Sequence, residues 1–236
     1  MKSLLAGLLC LLPIEVSLSE DIPPSPAVIR HSSWSQVQPD LAVLEKRPMG
    51  TIRHVSIHHT ETPVPDTVLE EQRLRNIQEY HQTTQGWGDI AYHYLVGPSG
   101  KVYEGRSERF AASSGTIYLT KEQWEAAPQD GAGGTRASKP LAAVKPGHSG
   151  GHLTVCFVGS YGNALPTEAA RRAAVALVVR KLAENHLTAD DVFFHREIAL
   201  STDCPGQALY DWFRGPARKR GARGPGLDAI AAELSR

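Results

Sequence analysis

Two stretches far apart in the chain decide its reading: Ile57-His58-His59-Thr60, and His195-Arg196-Glu197 followed by Thr202-Asp203-Cys204-Pro205-Gly206. Around the first, Arg53 to Thr60 reads as a strand, because Val55 and Ile57 alternate with His54, Ser56 and His58. His58 and His59 are neighbours on that strand and point to opposite faces, so only one of them can reach a given ion. Taken alone, the pair reads as two surface or core histidines. Joined with His195 and a cysteine outside any disulfide, it reads as a zinc site. Two imidazoles and a thiolate hold Zn²⁺ and leave a fourth position open to water, whereas a structural zinc is closed by four protein ligands. The chemical rival on the same residues is a nucleophilic Cys204 with His195 as its base.

Working outward, Pro63 and Pro65 predict a turn, and residues 66 to 84 a helix carrying Leu69, Leu74, Ile77 and Tyr80 at helical spacing. Gly86 and Gly88 end it around Trp87. Ile90 to Val96 and Lys101 to Glu104 flank Gly97-Pro98-Ser99-Gly100 and predict a hairpin. Residues 107 to 151 are rich in Gly, Ala and Ser, with one short helix expected after Thr120. A loop that long is functional or disordered, and here a substrate lid is expected. Residues 153 to 160 read as a buried strand, and Thr167 caps a helix to about Asn185. Its middle, Ala173 to Val179, is apolar nearly all round, as suits a helix on a sheet. A short strand from Val192 to His195 precedes the cysteine turn. The alternation predicts an α/β fold: a single domain with a mixed central β-sheet flanked by helices and a zinc site at one end of the sheet.

The chain has 236 residues, room for one such domain with appendages. Its 25 Lys and Arg match its 25 Asp and Glu, so no global field draws it to nucleic acid or an anionic membrane. Lys2, the apolar run Leu4 to Ile14 and Ser17-Leu18-Ser19 make residues 1–19 a secretory signal; a buried first helix is the competing reading. The run is too short for a resident span, so no stable membrane insertion is expected after cleavage. Cys10 lies inside the signal, and Leu9 before it argues against lipid attachment. The mature chain keeps Cys156, in an apolar strand, and Cys204; no disulfide framework is indicated. Residues 20–50 form a proline-rich lead segment anchored by Trp34 and Leu41 to Leu44. The main domain then spans 51–213. A basic tail, 214–236, ends in the amphipathic Leu227 to Leu234; a solvated extension is preferred over an anchor to an anionic surface.

At this point the chain resembles the zinc N-acetylmuramoyl-L-alanine amidases, which include phage-type amidases and the peptidoglycan recognition proteins. The resemblance covers roughly residues 30 to 213. Besides the two opening stretches it rests on Tyr80-His81, Gly86-Trp87-Gly88-Asp89-Ile90-Ala91-Tyr92-His93, Gly100-Lys101-Val102-Tyr103-Glu104-Gly105-Arg106 and Val155-Cys156-Phe157-Val158-Gly159. The ordered set is far more specific than any one member. It implies that zinc falls on His58, His195 and Cys204, because the family uses the first histidine of its His-His-Thr stretch. It implies catalytic roles for Tyr92 and Thr202, and a substrate groove at His59, Thr60, His81, Trp87 and His148. For Trp87, core packing stands equally beside the groove role. Recycling amidases of the cytoplasm carry glutamate where this chain has Cys156, which groups it with the tyrosine-dependent branch.

The implied function is hydrolysis of the amide between N-acetylmuramic acid and L-alanine by a secreted or periplasmic monomer. Peptidoglycan or muropeptides are its expected partners. The alternative is a non-catalytic module that binds peptidoglycan; intact Tyr92 and Thr202 argue against it.

Overall fold

Val55 and Ile57 join the larger apolar core while Ser56 and His58 face the other way, and all of β2 (His54–His59) is buried. A strand buried on both faces belongs in the middle of a sheet, between parallel neighbours. In the computed structural model, which describes residues 26–62, 69–113, 151–198, 202–217 and 221–236, β2 lies between β5 (His152–Phe157) and β6 (Val192–Phe194). β1 (Val28–Ile29), β3 (Tyr94–Val96) and β4 (Val102–Glu104) complete the sheet among the described residues, in the order β1-β4-β3-β5-β2-β6. Only β3 and β4 run antiparallel, as the hairpin that the sequence predicts. The expected run from Ile90 shortens to Tyr94 for a physical reason. The Ile90 and Ala91 carbonyls are taken by the Arg106 side chain and the Ser113 amide, which leaves them out of the ladder.

Helices cover both faces. On the Val55 face lie α4 (Glu168–Glu184), α6 (Gln207–Arg214) and α7 (Pro225–Leu234). Thr167 caps α4 as expected, its hydroxyl oxygen accepting the Ala170 amide at 3.1 Å. On the opposite face, Leu74 of α3 (Glu70–Glu79) packs with Trp34, Leu95, Tyr103 and Cys156. Two short helices precede β2: α1 (His31–Trp34) and α2 (Leu41–Leu44). Trp34 anchors the lead segment as expected, with its indole N–H donating to the Glu104 carbonyl at 2.7 Å. Leu41, by contrast, is exposed, and Leu44 is the buried member of its helix.

Three further expectations need correction. The helix expected over 66 to 84 starts at Glu70 among the described residues and widens into a π-helical turn, Tyr80–Thr84, with the Gln85 amide reaching back to the Tyr80 carbonyl. The strand expected to include His195 ends at Phe194. His195 instead opens α5 (His195–Ile198), because Glu197 turns back to accept the Phe194 amide at 3.2 Å. The tail is not a solvated extension: Leu227 and Ile230 of α7 are buried in the main core. Burying two such side chains contributes about 3–6 kcal/mol before chain entropy. The signal, the Pro63 and Pro65 turn, the helix after Thr120, His148 and the Arg218-Lys219-Arg220 cluster lie outside the described residues. Among those described, no helix is long and apolar enough to cross a membrane.

Candidate metal centre and groove

Parallel pairing explains how distant residues meet. Ile57 is the register partner of Phe194, so the residues that follow them, His58 and His195, come abreast at the carboxyl edge of the sheet. Their ring centroids are 4.7 Å apart. Cys204 arrives from the turn after α5, which is tied back by the Arg196 amide donating to the Cys204 carbonyl at 2.9 Å. Gly206 closes that turn at φ +92°, and a Cβ there would meet the Tyr161 backbone at 2.4 Å. Only glycine combines that conformation with that approach.

His58, His195 and Cys204 each offer one donor atom, and the three atoms lie within 4.8 Å of one another. Tetrahedral zinc with bonds of about 2.05 Å to nitrogen and 2.3 Å to sulfur separates the two by about 3.6 Å. The His58 Nδ1 to Cys204 Sγ distance is 3.8 Å. Burial takes His195 down to about 4 and His58 well below its ordinary value, so both imidazoles are neutral and able to ligate. Burial pushes the Cys204 thiol up to about 12, against the pull of the His59 amide. A thiolate here needs a cation beside it. The three residues therefore fit a zinc ion in number, donor type and spacing. Burial of the thiol and of the imidazoles disfavours the charged thiolate–imidazolium pair that a thiol nucleophile would need.

Beside the cluster is a cavity of about 340 Å³ lined by Thr60, Thr62, Arg73, Asn76, Ile77, Tyr80, His81 and Tyr92. The half-buried Tyr92 links the two features, with its ring centroid 5.6 Å from His58 and 6.0 Å from His81. Burial raises its phenol well above the ordinary value, with the Cys156 and Cys204 thiols adding to the effect, so it is a proton donor at neutral pH. Thr202 accepts the Cys204 amide at 3.1 Å, which leaves its own hydroxyl proton free to donate. Trp87 is half-buried and packs against His81 at 4.8 Å, behind the cavity wall. His59 faces away from the cavity: its Nδ1 accepts the Tyr161 amide at 3.2 Å.

Supporting residues escaped the reading of the sequence. Arg196 holds the cysteine turn through the Asp203 carbonyl at 2.6 Å and Gln207 at 2.8 Å. Glu197 and Arg214 form a buried two-pronged ion pair, 2.8 Å at each prong, which braces α5 behind His195. Arg106 donates to the carbonyls of Trp87, Asp89, Ile90 and Ala111, and so fixes the loop that carries Tyr92. Backbone acceptors leave no trace in a sequence. Arg196 and Glu197 adjoin His195 in sequence, but nothing in their spacing points to Gln207 or Arg214.

The family model described as N-acetylmuramoyl-L-alanine amidase matches residues 48–207. A human protein of that name is 34% identical over 163 residues, which are 67% of this chain and 23% of that protein. The chain thus spans about a quarter of the length of that relative. Peptidoglycan recognition protein 1 of Bos indicus is 27% identical over 187 residues, 78% of this chain and 80% of its own. Among solved structures, peptidoglycan recognition protein-LE in complex with tracheal cytotoxin, a monomeric diaminopimelic acid-type peptidoglycan, superposes with a TM-score of 0.54. It is 26% identical, covering 78% of this chain and 91% of that one.

Proposed function

Because this chain belongs to the N-acetylmuramoyl-L-alanine amidase family, we propose that it is an exported, monomeric zinc enzyme that cuts the amide between N-acetylmuramic acid and the L-alanine of peptidoglycan stem peptides. The observation that carries the proposal is the trio His58, His195 and Cys204, beside Tyr92 at the wall of a cavity. When bound by the trio, zinc supplies Lewis acidity toward a carbonyl and a lowered pKa for water. The chain's own groups do the rest. Thr60, Ile77, Tyr80 and His81 line the space for the peptide stem. Tyr92 keeps its proton and donates it in a hydrogen bond to the scissile carbonyl oxygen as that oxygen gains charge. Thr202, with its oxygen already engaged by the Cys204 amide, adds a second neutral donor beside the same oxygen.

A second reading, peptidoglycan binding without turnover, draws support from the relatives named as recognition proteins. One experiment separates the two. Purified protein is incubated with muropeptides, with and without a chelator, and the new termini are identified by mass spectrometry. The amidase reading expects free lactyl and L-alanyl ends that vanish on chelation and return with zinc. Retained muropeptide binding without new termini in zinc-loaded protein would leave the binding module, and turnover that survives chelation would remove the zinc reading.

A further inference from the structure

Ser56 occupies the middle of the central strand, fully buried, with Thr154 and Phe193 as its register partners on either side. Serine is an unfavourable choice there, since central strand positions favour β-branched and aromatic side chains. A buried hydroxyl also costs free energy unless it is hydrogen-bonded. Sheet packing does not explain the residue. Its side-chain hydrogen bond among the described residues does: Oγ lies 3.3 Å from Nε2 of His58, two residues on along the same face. Thr154, the neighbouring hydroxyl, is committed to His93, from which it takes the backbone amide at 3.0 Å and faces Nδ1 at 2.9 Å.

We propose that Ser56 is a positioning residue of the metal centre: its hydroxyl oxygen accepts Nε2–H of His58 and holds the imidazole with the Nδ1 lone pair aimed at the zinc position. The inference rests on the zinc reading above. A neutral imidazole carries one proton on one of two nitrogens, and the partner of the far nitrogen decides which one ligates. Here Nδ1 is the near nitrogen, 3.8 Å from Cys204 Sγ. The other tautomer would put a proton where the lone pair is needed. Among the described residues, the serine oxygen is the acceptor that faces Nε2, so its loss removes the contact that selects this tautomer.

The test uses the full chain and zinc alone. Zinc affinity, measured by competition with a chromogenic chelator and scaled to the folded fraction, should weaken about tenfold or more in Ser56→Ala. Ser56→Thr keeps the hydroxyl and should stay within about threefold of wild type. Cobalt-substituted Ser56→Ala should show an altered visible spectrum, and Ser56→Thr the wild-type one. A second measurement does not depend on the variants folding: nitrogen-15 NMR of the zinc-loaded wild type should find His58 protonated at Nε2. Protonation at Nδ1 overturns the proposal. So does equal zinc affinity in Ser56→Ala, or equal weakening in both variants, which would assign the loss to packing. A wild-type chain that takes up no stoichiometric zinc overturns the zinc reading itself, and is thereby told apart from a failure of Ser56 alone.

Discussion

His93 shows how completely a single side chain can be committed to the scaffold. It is fully buried, with Nε2 2.9 Å from the Phe110 carbonyl and Nδ1 accepting the Thr154 amide at 2.9 Å. Burial takes its pKa down to about 4, although the bond to Phe110 pulls the other way. The unfolded chain, near 6.5, therefore binds the proton first as the pH falls. The stability contributed by the neutral ring is fully present above about pH 6.5 and is lost as the pH drops toward 4. By pH 5 the loss is on the order of 2 kcal/mol. Urea unfolding of chelated protein at pH 7, 6 and 5 should show it, and His93→Gln should flatten the slope by close to one proton. An unchanged slope in that variant would mean other groups carry the dependence. Tyr92 and Thr202 are the opposite case, residues to which the proposed mechanism assigns the donors for the reaction. Tyr92→Phe and Thr202→Val keep shape and zinc but remove a donor, so kcat should fall on the order of a hundredfold with KM little changed. Wild-type kcat in both, with zinc retained, would place the catalytic donors elsewhere.

Among the elements, α7 carries the largest surprise and a direct test. Leu227 and Ile230 face α4 and α6 in the main core, and Gly226 sits so close to Trp212 that a Cβ would meet its ring at 2.8 Å. Leu227→Ala and Ile230→Ala should each destabilise the fold by about 2–5 kcal/mol. Denaturant midpoints unchanged from wild type would show the helix to be peripheral after all. The same element marks the limit of what the chain discloses when read alone. The two central strands, the hairpin and the capped α4 could be read from local periodicity and turn residues, because those signals are written within a few positions. The amphipathic stretch 227–234 was visible too, but its docking depends on a face of α4 and α6 that no local pattern announces. The π-helical turn at Tyr80–Thr84 has the composition of an ordinary helix, and nothing in that composition marks the bond from the Gln85 amide to the Tyr80 carbonyl. At the candidate metal centre, the donor types and the opposed faces of His58 and His59 were readable. The helical start at His195 was not, because Glu197 looks like any surface carboxylate until Arg214 is in place.

At the scale of the whole molecule, the candidate metal site draws on residues 58, 195 and 204, so its geometry exists only when β2, β6 and the cysteine turn are assembled. An unfolded chain presents the same three groups without that geometry. Zinc should therefore stabilise the folded state by about 4 kcal/mol at a thousandfold excess over its dissociation constant. The coupling also runs in reverse: loosening the frame behind a ligand should weaken the metal. Arg214 offers the test, because it is distant in sequence yet bonded to both prongs of Glu197 and to the Val192 carbonyl at 3.0 Å. Arg214 and Glu197 are 3% and 9% exposed, so removing one partner strands a buried charge at a cost of about 3–5 kcal/mol. Glu197 then no longer braces α5, which begins at His195. Arg214→Met should lower the melting temperature of the chelated protein and also shrink the further rise that zinc produces. Both are read from thermal unfolding with and without a fixed zinc excess. A lowered baseline with the full zinc-induced rise would mean that the pair supports the fold but not the metal centre, and that His195 keeps its position without it.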